Sequence, residues 1–180
     1  KDEGGPVYPF LKPPHWSGPV FIAGSTHHGE EALLTRAWQK VRMRVPDLKL
    51  ILAPRHIERV PEIKDQLKKD AIPYCLLSQC RDHAPSADLV IVDSIGDLFY
   101  LYAIADIVFI GKSLIPPGGG QNMIEPAAWG CPVLFGPYVK HFQSVAESMR
   151  KDEAALAVAD EKELEEKIAM LLLSTGRREE

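Results

Sequence analysis

The chain is poor in several features that would assign it to common classes of protein. It has only three cysteines, Cys75, Cys80 and Cys131, which form no C-x-x-C pair. That scarcity argues against a disulfide framework or a cysteine-zinc site and favours a reducing compartment. No apolar run approaches the roughly 20 residues that span a bilayer. With 21 basic and 25 acidic residues, the net charge of −4 provides no basic surface for nucleic acid.

Two familiar phosphate-binding motifs are also missing. The first apolar segment is followed by Gly24-Ser25-Thr26-His27 rather than by G-x-G-x-x-G, which argues against NAD. Gly111-Lys112-Ser113 is similar to the end of a P-loop, but Asp106 occupies the position where that motif requires glycine. His27, His28, Glu30 and Glu31 are neighbours at a helix start and do not point together, so we expect no metal site there.

Short apolar segments alternate with segments of helical periodicity along the 180 residues. The predicted strands are Val20–Ala23, Leu48–Ala53, Tyr74–Leu77, Leu89–Val92, Ile107–Ile110 and Val133–Phe135, with a further short strand at Leu156–Val158. The predicted helices are Gly29–Arg44, Pro61–Lys69, Asp97–Ala105, Met123–Trp129, Phe142–Lys151 and Glu161–Ser174. Strands that are apolar throughout and alternate with helices predict an α/β fold, a Rossmann-like parallel sheet of about six strands covered by helices on both faces.

The first nineteen residues differ from the rest. Lys1–Pro19 contains five prolines and does not begin with methionine. We therefore expect an inter-domain linker over residues 1–19, one ligand-binding domain over residues 20–180, and a chain that is the C-terminal part of a longer protein.

Polar residues and glycines follow the ends of the predicted strands. In a parallel sheet the carboxyl ends of the strands meet at one edge, where ligands bind. The candidates at that edge are Ser25 and Thr26 after the first strand, Arg55 and His56 after the second, and Ile95 and Gly96 after the fourth. Ser25 and Thr26 are equally explained as a helix cap ahead of an acidic first turn. Arg55 is explained by a surface ion pair, or by an arginine that contacts a phosphate or carboxylate in the crevice.

A glycine-rich turn follows the fifth strand. Gly118-Gly119-Gly120 precedes Asn122, the only asparagine of the chain, and Glu125 at the start of a predicted helix. Consecutive glycines let the backbone approach an anion, and free N–H groups at a helix start favour one. Glu125 is also explained as a helix cap. The sequence predicts a phosphate-binding turn here.

Several motifs resemble those of one known family over nearly the whole chain. They are Gly24-Ser25-Thr26-His27 with Gly29-Glu30-Glu31, Leu52-Ala53-Pro54-Arg55-His56, Gly96-Asp97-Leu98 with Leu101-Tyr102, Ser113-Leu114-Ile115-Pro116, the glycine turn, and Glu125-Pro126-Ala127-Ala128 through Pro132-Val133-Leu134-Phe135-Gly136-Pro137. They resemble the 3-deoxy-D-manno-octulosonic acid (Kdo) transferases of lipopolysaccharide biosynthesis.

The resemblance implies the C-terminal, donor-binding half of a GT-B glycosyltransferase, with residues 20–180 binding CMP-Kdo. Such enzymes transfer Kdo to a lipid A precursor with inversion, without a metal or an organic cofactor. The N-terminal half would supply the acceptor site, the catalytic carboxylate base and attachment to the cytoplasmic face of the bacterial inner membrane. This chain alone would then bind the donor and be inactive.

The resemblance also implies roles for individual residues. The backbone of Gly118, Gly119 and Gly120 with Asn122 would hold the CMP phosphate, and Glu125 the ribose hydroxyls. Ile95 and Gly96 would contact cytosine. Arg55, helped by Ser25, Thr26 and His56, would face the phosphate or the Kdo carboxylate and stabilise the leaving phosphate, which is a catalytic role.

The chain departs from the family pattern at three places. The usual Gly-Gly-His-Asn is one residue longer here and has Gln121 in place of the histidine, Lys112 stands where glycine is common, and Tyr138 where histidine is common. Two other functions stay open on the residues alone: a GT-B enzyme that uses a UDP-sugar, and a non-catalytic nucleotide-sugar-binding module. Selective binding of CMP over UMP or UDP separates the first from the Kdo transferases.

Overall fold

A computed structural model describes residue 11, residues 16–80 and residues 83–174. Most of the predicted linker lies outside the described residues. Within it, Leu11 and Trp16 are buried, and the Trp16 indole donates a hydrogen bond to the Ala87 carbonyl at 3.2 Å.

Seven parallel strands form a single sheet. They are β1 (Val20–Thr26), β2 (Lys49–Pro54), β3 (Cys75–Leu76), β4 (Leu89–Ile91), β5 (Ile107–Ile110), β6 (Val133–Phe135) and β7 (Ala155–Ala157). Their spatial order is β3-β4-β2-β1-β5-β6-β7. The six strands predicted for the sheet are confirmed, with shifts of one to three residues at some ends. The short strand predicted near Leu156 joins the sheet as its seventh member and pairs with β6.

The helices cover the two faces of this sheet, as predicted. They are α1 (Glu30–Arg42), α2 (Val60–Lys69), α3 (Leu98–Leu101), α4 (Ile124–Ala128), α5 (Gln143–Lys151) and α6 (Glu161–Leu173). The helix predicted over Asp97–Ala105 is shorter than expected, because after Leu101 the chain tightens into a 3-10 turn over Tyr102–Ile104. In the described part of the chain, no helix is both long and apolar enough to cross a membrane.

Each face of the sheet carries its own apolar core. Alternate residues of β1 point to opposite sides, so that Phe21 packs with α1, α2 and α6 while Ile22 packs with α3 and α5. The inner face of α1 packs on the sheet, since Leu34, Trp38 and Val41 are almost fully buried. Because the described helices cover both faces, we expect a ligand at the strand ends and not on a face of the sheet.

The strand order creates a crevice beside β1. The chain leaves β1 towards β2 on one side, and later returns to β5 on the other. The loops after β1 and β5 therefore run in opposite directions and leave a gap between them, which is where open α/β sheets bind ligands. The Gly111 amide bonds to the Gly24 carbonyl at 2.8 Å and holds the two strand ends together.

Candidate functional site

The loop after β1 is organised around two buried glutamates. Thr26 is fully buried, and its hydroxyl donates to Glu31 Oε1 at 2.8 Å. Arg59 binds the same carboxylate through two nitrogens, at 2.7 and 3.1 Å. The Thr26 hydroxyl is thus used inside the protein, and Ser25, which has a φ of 54°, stays partly exposed at the strand end.

Arg55 lies at the end of β2 with its side chain exposed. Its amide donates to the Thr26 carbonyl at 3.0 Å, which fixes its backbone beside β1. In the part of the chain that the structure describes, the guanidinium makes no ion pair. His56 lies next to it, with its ring 5.5 Å from and perpendicular to that of His27. The alternative explanation of Arg55, a surface ion pair, is therefore not seen among the described residues, while His56 Nδ1 lies 3.4 Å from Glu58 Oε1.

The glycine turn has the backbone conformation that its sequence indicates. Gly118, Gly119 and Gly120 have φ values of 57°, 129° and 80°, a region that side chains strongly disfavour. The turn is nevertheless bonded to the protein itself, because the Gly119 amide donates to the Tyr138 carbonyl and the Gly120 amide to the Lys112 carbonyl, both at 2.7 Å. These two amides would have to leave their partners to bind a phosphate. The first turn of α4 retains amides without intrahelical partners.

Asn122 and Glu125 form a pair at the start of α4. Asn122 Nδ2 donates to Glu125 Oε1 at 3.0 Å, and Asn122 Oδ1 accepts from the Ile124 amide at 3.0 Å. Burial raises the pKa of Tyr102, and the nearby Glu125 charge raises it further. A side chain at Gly24 would lie only 2.7 Å from the Tyr102 hydroxyl. Glu125 therefore lies near the carboxyl end of β1.

The loop after β4 presents Ile95 to solvent. The Ile95 side chain is 85% exposed, and Gly96 has a φ of 91°. The Asp93 carboxylate accepts from the Ser78 amide at 3.0 Å and from its hydroxyl at 2.6 Å. Ser94 donates to Asp97. The loop is thus held at both ends while its apolar tip is free to meet a ligand.

Glu30 is a residue of this region whose role the sequence did not indicate. It is 1% exposed, and its carboxylate accepts from four backbone amides. Those of His27 and Lys112 bond to Oε2 at 2.9 and 2.7 Å, and those of Ser113 and Leu114 bond to Oε1 at 2.9 Å each. Glu30 thereby ties the loop after β5 to the loop after β1. An acidic residue in the first turn of a helix is usually explained by the helix dipole, so its sequence position carried no signal of this role.

His27 joins the same two loops from the solvent side. Its Nε2 lies 3.2 Å from Gln121 Nε2, so the unprotonated ring nitrogen accepts from the glutamine amide. Partial burial lowers the pKa of His27, and the positive charges of Lys112, His56 and Arg59 lower it further. Lys112 and Arg59 therefore place cationic groups near the His27 ring at the crevice edge.

The structure brings Ser25, Arg55, His56 and the glycine turn to one edge of the sheet. In the described residues, no group of three or more His, Cys, Asp or Glu side chains is arranged to hold a metal ion. Cys131 is buried, and its thiol donates to the Tyr102 carbonyl at 3.2 Å, as expected of a core thiol.

The sheet, its crevice and its helices give the chain the Rossmann-like fold of the C-terminal domains of GT-B glycosyltransferases. The C-terminal domain of a group 1 glycosyl transferase from Francisella tularensis shares this fold, with a TM-score of 0.61 and 16% identity over 89% of this chain and 78% of that one. By sequence, the chain is a relative of the 3-deoxy-D-manno-octulosonic acid transferases.

Both sequence and structure support this relationship. The transferase of Haemophilus influenzae is 33% identical over 89% of this chain and 38% of its own length. The C-terminal CMP-Kdo binding domain of WaaA from Acinetobacter baumannii superposes with a TM-score of 0.83 and 28% identity, over 90% of this chain and 84% of that domain. This chain spans about two fifths of the length of the curated relatives it matches. No protein-family model matches it.

Proposed function

We propose that this chain is the donor-binding domain of a glycosyltransferase that transfers Kdo from CMP-Kdo to a lipid A precursor. The observation that carries the proposal is the similarity to a CMP-Kdo binding domain over 90% of this chain, at 28% identity and a TM-score of 0.83. The exposed Arg55 side chain at the edge of the crevice beside β1, with His56 next to it, supports an anionic donor.

In this proposal different residues at the crevice contact different parts of the donor. Arg55 faces the phosphate and stabilises the charge that develops as CMP leaves. Asn122 and the first turn of α4 bind the same phosphate, and Glu125 accepts hydrogen bonds from the ribose hydroxyls. Ile95 and Gly96 contact cytosine. Ser25 contributes from the end of β1, whereas Gly118 to Gly120 and Thr26 act chiefly by shaping the turn, since their polar groups are largely bonded within the protein.

The remaining parts of the reaction are assigned to sequence outside this chain. The reaction inverts the sugar configuration and uses neither a metal nor an organic cofactor. A second domain supplies the carboxylate base, the lipid A acceptor site and attachment to the cytoplasmic face of the inner membrane. The chain by itself binds the donor without transferring the sugar.

Calorimetric titration with CMP, UMP and UDP tests this proposal. We expect CMP to bind in preference to both uridine nucleotides, because the loop after β4 reads the base. Glu125→Ala should weaken CMP binding about 10- to 100-fold, the range that follows from losing a hydrogen bond to a charged group.

The control is Glu147→Ala, which removes an exposed carboxylate from α5 and should leave the affinity unchanged. Binding of UDP without CMP would instead favour a GT-B enzyme that uses a UDP-sugar. Binding of CMP that Glu125→Ala does not weaken would place the ribose elsewhere.

A further inference from the structure

Lys112 lies beside the crevice, in the loop after β5. It follows β5 directly after Gly111, at the point where the loops after β1 and β5 diverge. Its carbonyl accepts from the Gly120 amide at 2.7 Å, so its backbone lies against the glycine turn that leads to α4. A side chain here is available to any ligand that enters between the two loops.

The Lys112 backbone has a conformation that lysine disfavours. Its φ of 56° lies in the left-handed region, where glycine is favoured and a Cβ is strained. Two bonds hold it there: its amide donates to Glu30 Oε2 at 2.7 Å, and its carbonyl accepts from Gly120. Strain of this kind persists only where the surroundings over-determine the conformation, and it concentrates at functional sites. A lysine at a position suited to glycine calls for a reason in its side chain.

The Lys112 side chain supplies a positive charge that the protein leaves uncompensated. Across the described ranges, no carboxylate forms an ion pair with its ammonium. Three carboxylates of the crevice loops are already engaged: Glu30 by four amides, Glu31 by Arg59 and Glu125 by Asn122. The ammonium is close enough to His27 to contribute to the low pKa of that ring, after burial. Lys112 and Arg55 are thus two cationic side chains at the strand ends for which the described residues show no ion pair.

We infer that Lys112 is a binding residue for the donor phosphate, held in its strained conformation by Glu30 and Gly120 so that its ammonium lies beside the glycine turn. This inference rests on the proposed function, because it assigns a further contact within the same site. The Gly119 and Gly120 amides are bonded within the protein, and the charged Lys112 ammonium replaces them as the phosphate donor.

Three substitutions separate the charge of Lys112 from its backbone strain. Lys112→Gly removes both, Lys112→Ala removes the charge and keeps the strain, and Lys112→Arg keeps the charge. Each variant is titrated with CMP and with cytidine, which lacks the phosphate, and its Tm is measured. Lys69→Ala, which removes an exposed lysine from the end of α2, is the control.

We expect Lys112→Gly to raise the Tm by about 2–4 °C and yet to weaken CMP binding about 10-fold, with cytidine binding changed less than about twofold. Lys112→Ala should weaken CMP binding equally, and Lys112→Arg should restore most of it. A residue with a merely structural role would not lower CMP affinity while raising stability.

Two other outcomes have distinct meanings. If the unmodified chain binds CMP and Lys112→Gly binds it equally well, the inference is overturned and the proposed function stands. If the chain prefers UMP to CMP and Lys112→Gly weakens UMP binding 10-fold, the proposed function fails and the phosphate contact of Lys112 is supported.

Discussion

Arg55 and Arg59 lie four residues apart after the same strand, and the fold gives them opposite environments. Arg59 is partly buried against Glu31 and binds it through two nitrogens. Arg55 is exposed beside the crevice, and the described residues include no carboxylate paired with it. Arginine is suited to both situations, because its planar group binds carboxylates and phosphates through paired donors. Only the position in the fold separates a structural arginine from one that is free to bind a ligand.

This contrast predicts different effects of the two substitutions. In the enzyme that contains this domain, Arg55→Ala should lower kcat about 10²–10³-fold, as expected when a preorganised donor to a developing charge is lost, and should leave the Tm unchanged. Arg59→Ala should instead destabilise the domain by about 3 kcal/mol, because it leaves the Glu31 carboxylate buried and unpaired.

Steady-state rates of Kdo transfer, with thermal unfolding of the same samples, provide the measurement. An Arg55→Ala enzyme with normal kcat would remove Arg55 from the mechanism.

At the scale of elements, the loops after β1 and β5 form the crevice, and the Glu30 side chain joins them. The acceptor capacity of its carboxylate is matched to four amides from the loops after β1 and β5. The sequence predicts that both loops lie at the ligand-binding edge, because each follows an apolar strand. It indicates for Glu30 only a place at the start of α1, since nothing local shows that its carboxylate reaches residues more than eighty positions later.

Glu30→Gln tests this connection between the loops. The amide side chain has a single acceptor oxygen, and its NH₂ group would face backbone donors, so the arrangement cannot be satisfied. We expect a loss of about 1–3 kcal/mol in the free energy of unfolding, with faster hydrogen exchange at the Ser113 and Leu114 amides. Glu166→Gln, an exposed change on α6, should cost less than about 0.5 kcal/mol.

Urea unfolding gives the stability, and exchange monitored by NMR gives the local effect. Unchanged protection at Ser113 and Leu114 in the Glu30→Gln variant would contradict the role that we assign to Glu30.

The whole molecule depends on helices that close the sheet on both faces. At the C-terminal end, α6 buries Leu164 and Ile168 completely in the same core as α1 and α2. Arg36 and Lys40 of α1 also contact Glu161 of α6, at 2.8 and 2.9 Å. These ion pairs are exposed and contribute little, so the packing of α6 carries most of its attachment.

Ile168→Ala should therefore destabilise the entire domain by about 2–5 kcal/mol, because it opens a cavity in a close-packed core. CMP affinity of the folded fraction should not change, since the residue lies in the apolar core and not among the crevice loops. Leu173→Ala, at a residue of the same helix that is 54% exposed, is the matched control and should cost well under 1 kcal/mol.

Denaturant melts of both variants provide the comparison. Equal midpoints for the two variants would show that α6 is not an integral part of the core.

The sequence by itself determined the class of fold and the edge at which the candidate site lies. Apolar runs such as Ile107–Ile110 and the periodicity of α1 are local properties, and burial on a two-faced sheet follows directly from them. The motifs around Gly24 and Arg55 also sufficed for the resemblance to the Kdo transferases. The end of α3 could not be predicted in the same way, because a 3-10 turn that continues a helix has no distinct sequence pattern.

The tertiary structure alone decided which polar groups are already satisfied. The Thr26 hydroxyl donates to Glu31, and the Lys112 amide donates to Glu30. The Gly119 and Gly120 amides donate to the carbonyls of Tyr138 and Lys112. Each of these groups could have bound a ligand on sequence grounds. Hydrogen bonds between residues as far apart as Glu30 and Lys112 form only when the sheet brings the strand ends together, so no local pattern records them.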